Sequence, residues 1–259
     1  MTNGQRLIKQ TLIAGIFVLL VGGGWHAVFR AASPPPPTPT PDPFAHLAAL
    51  RVLSTQLLNV SNNDYDLVAK VTNPNTDYGS ADVEYSLIFY NTANTLLSPQ
   101  SGTFYILPGQ TKFILASPLK FSEPISRAEL AIKDVNWQKL SAVGDASINL
   151  VPRSHNYVAV NRNGVFGKVG GSILNNSDFD LGQVDVLVLL YDANDRLLAA
   201  NHTQIDTFLA KTTRGFELAW FTPFAGAVAR VEVIPTTNLF LNSNFLRQYQ
   251  QPERFQQFY

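Results

Sequence analysis

Asn175–Asp192 reads NNSDFDLGQVDVLVLLYD, with four aspartates set among seven valines and leucines. From Val184 onward every second residue (Val186, Val188, Leu190) falls on one face, the period of a β-strand rather than of a helix. Asp178 and Asp180 stand just before the run, where Asx side chains bond nearby backbone and shape a turn. Asp185 lies on the face opposite Val184 and Val186, which points it toward solvent. Asp192 and Asp195 flank Ala193-Asn194 in a hairpin turn that closes the strand. The acids therefore read as punctuation. DFDLG lacks the spacing and terminal glutamate of an EF-hand calcium loop.

The same strand occurs twice. DVEYSLIFY, Asp82 to Tyr90, alternates as QVDVLVLLY, Gln183 to Tyr191, does. Asn75-Thr76-Asp77-Tyr78 matches Asn176-Ser177-Asp178-Phe179, Tyr90 matches Tyr191, and Leu96-Leu97 matches Leu197-Leu198. Further on, RAELAI (Arg127 to Ile132) echoes RVEVI (Arg230 to Ile234). A repeat of this length predicts two successive β-domains of sandwich size. Strands are expected at 51–60, 66–72, 82–91, 102–106, 112–117 and 128–137, then near 157–160, 166–174, 183–191, 202–208, 213–220 and 228–234. Pro108-Gly109 and Asn163-Gly164 supply turn chemistry between them. Alternating antiparallel strands must bury one face against a second sheet. The expected fold class is all-β: two tandem immunoglobulin-like β-sandwich domains after an N-terminal transmembrane helix.

NNSDFDLGQVDVLVLLYDANDRLLAANHTQID resembles the FxLYD family, with Leu190-Tyr191-Asp192 in the name-giving place and Val188 where that family has Phe. The first repeat resembles a more divergent relative, with Ile88-Phe89-Tyr90-Asn91 there, and its VAKVTNPN is similar to the β-sandwich group of late-embryogenesis-abundant proteins. The resemblance implies a small β-sandwich, often on anchored or exported bacterial proteins, and implies no catalytic residues.

Composition fits a packed, non-nucleic-acid-binding protein. Of 259 residues, 46% are hydrophobic and 15% charged, enough apolar matter to bury cores. Lys+Arg and Asp+Glu are both 19, so there is no basic excess to displace counterions from phosphate, and no nucleic-acid partner is expected. Cysteine is absent, which excludes disulfides, thiolate metal sites and cysteine nucleophiles.

Between Leu12 and Phe29 no residue carries a fixed charge, and with its small flanking residues the segment approaches the roughly 20 residues a membrane-spanning helix needs. Arg6 and Lys9 precede it, favouring a cytoplasmic N-terminus. A cleaved signal peptide is the competing reading; Trp25 or Arg30 would fall three residues before the available small-residue sites. Either way the remainder leaves the cytoplasm. SPPPPTPTPDP, Ser33 to Pro43, is proline-dense and reads as an extended polyproline spacer, about 3.1 Å per residue and roughly 30 Å in all. The expected organisation is residues 1–10 cytoplasmic, 11–32 transmembrane, 33–43 linker, 44–138 first sandwich, 139–236 second sandwich, and 237–259 a Gln- and aromatic-rich tail. The plasma membrane is the expected location, with the C-terminal domains outside.

Catalytic, cofactor and metal roles find no constellation. His155 and His202 are isolated; no GxSxG elbow precedes a helix, and no HExxH pair occurs. Gly167–Gly171, GKVGG, lies in a strand region and reads as a bulge or close approach rather than a phosphate loop. The sequons at Asn59, Asn175 and Asn201 read as plain turn residues. The tail offers Phe245, Tyr249, Phe255, Phe258 and Tyr259 as partner contacts, since aromatics are effective interface anchors. The expected function is a non-catalytic binding or scaffolding module of the bacterial cell envelope, meeting an envelope protein or cell-wall partner. The alternatives are an envelope enzyme or its accessory subunit, and a stress-protective protein.

Overall fold

The computed structural model describes residues 43–140 and 148–249. Residues from His46 onward form one compact unit. It is built from antiparallel strands: β1 (Arg51–Ser61), β2 (Asp64–Thr72), β3 (Tyr78–Asn91), β4 (Gln100–Ile106), β5 (Thr111–Lys120), β6 (Ile125–Val135), the short β7 (Gln138–Lys139), β8 (Leu150–Arg162), β9 (Val165–Asn175), β10 (Leu181–Tyr191), β11 (Leu197–Phe208), β12 (Thr213–Trp220) and β13 (Arg230–Thr236). A 3-10 turn, Leu239–Leu241, and a short helix α1, Ser243–Tyr249, follow. The expected strands all occur, several of them longer at their ends. Among the described residues no helix is long and apolar enough to cross a membrane. The transmembrane segment expected at 11–32, nearly all of the linker and the last ten residues of the tail lie outside the described residues.

The repeat in sequence is a repeat in topology. The first half has sheets ordered β1-β2-β5 and β4-β3-β6, with β7 beside β3; the second has β8-β9-β12 and β11-β10-β13. Strand for strand the order is the same. Each half buries side chains between its two sheets: Leu67, Val71, Val83, Leu87, Phe89 and Ile106 in the first, Val169, Ile173, Val184, Val186, Val188 and Phe208 in the second. The turns behave as their residues dictate. Gly109 takes φ 65° and the turn closes from Gln110 N–H to the Leu107 carbonyl at 3.2 Å. Asn163 and Gly164, at φ 53° and 75°, make the β8–β9 hairpin. Gly167 and Gly102 are needed for space rather than for φ. A Cβ at either would meet the hydroxyl of a tyrosine on the neighbouring strand, at 2.4 Å from Tyr157 and 2.5 Å from Tyr85. The GKVGG stretch is thus a floor for aromatic rings.

One buried asparagine ties each half together. Asn175 ends β9. Its Nδ2 donates to the carbonyls of Phe179 (2.8 Å), before β10, and Phe208 (3.1 Å), at the end of β11. Its Oδ1 accepts from the Ser177 amide and hydroxyl, and its own N–H donates to Thr212 just before β12. Asn73, just after β2, acts in the same way: Nδ2 donates to Tyr78 (2.7 Å) and Leu107 (3.0 Å), Oδ1 accepts from the Asn75 amide, and its N–H donates to Gln110. Each side chain therefore joins the two sheets of its half.

The halves pack on one another. Val68, with Leu58, Phe113 and Leu115 of the β1-β2-β5 sheet, meets Leu187, Leu189, Leu197 and Ala200 of the β11-β10-β13 sheet in a third hydrophobic cluster. Strand β10 is consequently buried on both faces at its C-terminal end. That is why its sequence changes from alternation to the unbroken Val186–Leu190 run.

Replacing Asn175 by Ala strands two buried carbonyls and the Ser177 amide, each costing about 1–3 kcal/mol when left unpaired. Asn175→Ala should lower unfolding free energy by about 3 kcal/mol or more, measured by urea denaturation, and Asn73→Ala should do the same. Wild-type midpoints in both variants would show that the clamp is dispensable.

Candidate functional site

The aspartates that open the question of chemistry are spent on structure. Asp192 Oδ1 accepts the Asn194 and Arg196 amides at 2.8 and 2.9 Å, and Asp195 takes the positive φ of the turn. Those backbone bonds, with the Arg196 guanidinium, hold the Asp192 carboxyl below the usual carboxylate range despite some desolvation. Asn91 does the same work in the first half, accepting from Ala93 and Thr95. Asp178 pairs with Lys211 at 2.8 Å, and Asp180 accepts the Ala210 amide at 2.8 Å. Tyr191 lies under the Arg230 guanidinium, 3.8 Å from its ring centre, and Arg230 bridges Asp195 and Glu232. Tyr90, Arg127 and Glu129 repeat that arrangement. Among the described residues no group of three or more His, Asp or Glu is placed to hold a metal ion.

Asp185 differs from its expectation. It faces the first half, not open solvent, because its neighbours on the same face, Leu187 and Leu189, are covered by the β1-β2-β5 sheet. The Tyr105 hydroxyl, at the end of β4, approaches its Oδ2 at 3.5 Å, while Gln183 and Gln204 turn their amide nitrogens to its Oδ1 at 3.4 and 3.3 Å. Lys112, from β5, lies over the Tyr105 ring. Burial pulls the Lys112 ammonium down to about 7, with the Asp185 charge opposing the fall. Burial also pushes the Tyr105 phenol well above its ordinary value, the Asp185 carboxylate adding to the rise.

Two hollows open beside this cluster. The larger, about 470 Å³, runs between Tyr105, the Gln183–Asp185 and Gln204–Asp206 stretches, and the wall made by Thr237, Asn238 and Leu241. The smaller, about 280 Å³, lies on the other side of Asp185, against Lys112, Thr103 and His202. His155 stands on β8 in the other sheet of the second half, packed on Gly171. The two histidines sit on different sheets.

The C-terminal aromatics are divided. Phe245 is fully buried and stacks with Phe179 and Tyr249 in the second core. The expectation of a partner contact at Phe245 is corrected: a side chain with no exposed surface has none to offer. Tyr249 packs against the same core, which assigns it first to the fold. Phe255, Phe258 and Tyr259 lie outside the described residues. Sequence reading also missed how the tail is held. Asn238 accepts the Phe240 amide, and Asn242 accepts the Asn244 and Phe245 amides while donating to the Asp180 carbonyl. Phe240 reaches the first half, its ring tip 3.0 Å from where a Cβ on Gly79 would lie. The segment from Leu239 straps the halves. Its signal was the helix-capping pattern of Asn238 and Asn242 ahead of apolar residues.

No family model matches the sequence, and no curated protein matches it. Among solved structures, red sea bream transglutaminase is similar at 17% identity over 73% of this chain and 30% of that one, with a TM-score of 0.24. The chain thus spans less than a third of that protein, and a likeness of this size carries no argument.

Lys112 is more protonated in the unfolded chain than in the folded one between about pH 7 and its ordinary value near 10.5. Folding stability should therefore rise with pH across that window, by up to about 1.4 kcal/mol per pH unit, until the Tyr105 phenol begins to oppose it near pH 10. Denaturation at several pH values should show this slope in the wild type and not in Lys112→Met. Parallel pH profiles would place the ammonium in water. Phe245→Ala should cost about 3–5 kcal/mol, and truncation after Thr236 should cost at least as much. A truncated chain as stable as the full one would restore the free-tail reading.

Proposed function

We propose that this chain is a membrane-anchored, non-catalytic binding or scaffolding module of the bacterial cell envelope. In this reading residues 11–32 are the anchor, 33–43 the spacer, and the two halves tandem immunoglobulin-like sandwiches outside the membrane, the second of FxLYD type. The strand orders, with the first, second and fifth strands of each half in one sheet and the third, fourth and sixth in the other, support that assignment.

The observation that carries it is the third hydrophobic cluster. Two sandwiches joined only by a linker would reorient freely; joined through Val68, Phe113, Leu187 and Leu189, and strapped by Leu239 and Phe240, they present one fixed surface. A fixed surface on a roughly 30 Å proline spacer suits recognition at a set height above a bilayer. Tethering raises the effective concentration of a weak binder, so no tight site is required. The acids and arginines of the LYD-type motifs are occupied in turns and cross-strand stacks, which fits a module whose signature residues serve the fold.

Fractionation of cells making the full chain tests the reading. The protein should remain in the membrane pellet after alkaline carbonate washing and be digested by protease added outside intact spheroplasts. Release by carbonate, or protection until the cells are lysed, would overturn it. Cross-linking in the same cells followed by mass spectrometry then identifies the neighbour.

A further inference from the structure

The outer face of the β11-β10-β13 sheet changes character partway along. At one end Leu187, Leu189 and Ala200 lie beneath the first half. At the other, the directly opposed pairs are Asp185 with Gln204 and Gln183 with Asp206. These four planar side chains form the floor of the 470 Å³ cleft. Its size falls within the range of small-ligand sites, and it lies beside the seam, with Tyr105 of the first half at its end.

The walls are fixed independently of any ligand. Thr237 donates its hydroxyl to the Gln183 carbonyl at 2.7 Å, Asn242 donates to Asp180, and Asn238 uses its Oδ1 as a backbone cap. The floor is less committed. Among the described residues Gln183 and Gln204 give only long bonds to Asp185, their amide oxygens accept no hydrogen bond, and Asp206 has no side-chain partner. Leu241, 77% exposed, stands on the far wall, and the Tyr105 ring closes the end. Among the described residues no lysine, arginine or histidine lines this cleft, so an anion would meet two carboxylates with only the Lys112 ammonium, behind the Tyr105 ring, to offset them. Asp185 is already met by the Tyr105 hydroxyl and the Gln183 and Gln204 amide nitrogens, with Lys112 behind the Tyr105 ring, which weakens the case for a cation.

We propose that the cleft over Gln183, Asp185, Gln204 and Asp206 binds a neutral saccharide. Carboxylate and carboxamide groups are planar, and each can meet two adjacent hydroxyls, the carboxamide offering both a donor and acceptors. A sugar ring carries hydroxyls on its rim and C–H groups on its faces. The polar floor addresses the hydroxyls, and Leu241 and the Tyr105 ring offer apolar surface to the C–H faces.

Calorimetry of the full chain in amine-oxide micelles, whose headgroup is not a sugar, tests this. The probes are the hexasaccharides of maltose, cellulose and chitin type, with spermidine as the cationic comparison. At least one hexasaccharide should bind with a Kd of about 1 mM or tighter, and Gln204→Ala and Asp206→Ala should each weaken it about tenfold. Both residues are exposed, so the thermal midpoint should stay within about 2 °C. No heat from any hexasaccharide at about 10 mM, or binding that ignores both substitutions, overturns the proposal. Binding of spermidine without any saccharide overturns it too and gives the cleft to a cation. Membrane association in cells is measured separately, so a failure of saccharide binding leaves the anchored-module reading standing.

Discussion

The two buried asparagines, Asn73 and Asn175, are the constraint on which the rest of the architecture depends. A two-sheet sandwich has no backbone hydrogen bonds between its layers; apolar packing holds them together but does not fix their ends. Here the chain leaves the first sheet at the end of β2 or β9 and must enter the second. Backbone carbonyls at that crossing, such as Tyr78 and Leu107 or Phe179 and Phe208, would otherwise be buried without donors. One carboxamide supplies both donors and accepts a turn amide, so a single residue aligns three strand ends. An aspartate would lack the donors, and a glutamine would add a methylene to a closed space. The first repeat reaches the same geometry with Asn-Pro-Asn and one more residue before the aromatic than the second uses, which is why aligning Asn75 with Asn176 pairs letters rather than roles.

The same logic explains how the residues around Leu190-Tyr191-Asp192 are spent on structure. Tyr191 is held beneath Arg230, which is itself neutralised by Asp195 and Glu232, and Asp192 caps the turn that positions Asp195. The whole set recurs around Tyr90, Arg127, Glu129 and Asn91. Exposed ion pairs of this kind add little stability singly. Their value is in register: an arginine stacked on a cross-strand tyrosine fits only when β3 and β6, or β10 and β13, pair in one alignment.

The strands were readable because alternation is a local property, visible at Val83–Phe89 and Val184–Leu190 without knowing what either face meets. Turns were readable for the same reason, since Asn163-Gly164 and Pro108-Gly109 carry their conformations in their own covalent structure. The junction was not. Leu187 and Leu189 reveal a second buried face only once the opposing sheet, with Val68 and Phe113, is known. Asp185 sits two residues from Leu187 on that same face, so its environment depends on where the covering sheet stops. Phe245 was misread because its surroundings in sequence, rich in Asn and Gln, resemble a solvated tail; the caps that fold the segment are made by those very polar residues.

The division of one sheet face into an apolar and a polar end carries a consequence for how the halves meet. Had the polar pairs Gln183–Asp206 and Asp185–Gln204 been apolar, the first half could slide along the sheet and cover all of it. Planting carboxylates and carboxamides there makes full coverage costly, since each would lose water without gaining a geometrically good partner. The seam therefore stops at Asp185, where Tyr105 and Lys112 give it partial compensation. Lys112 contributes its aliphatic stem to the packing and its ammonium to the aromatic face and carboxylate. Leu239 and Phe240 add a further contact, Phe240 reaching Gly79 of the first half. A cleft is what remains when two bodies are held at a seam that is polar at one end, and its depth is set by the point where the apolar pattern ends.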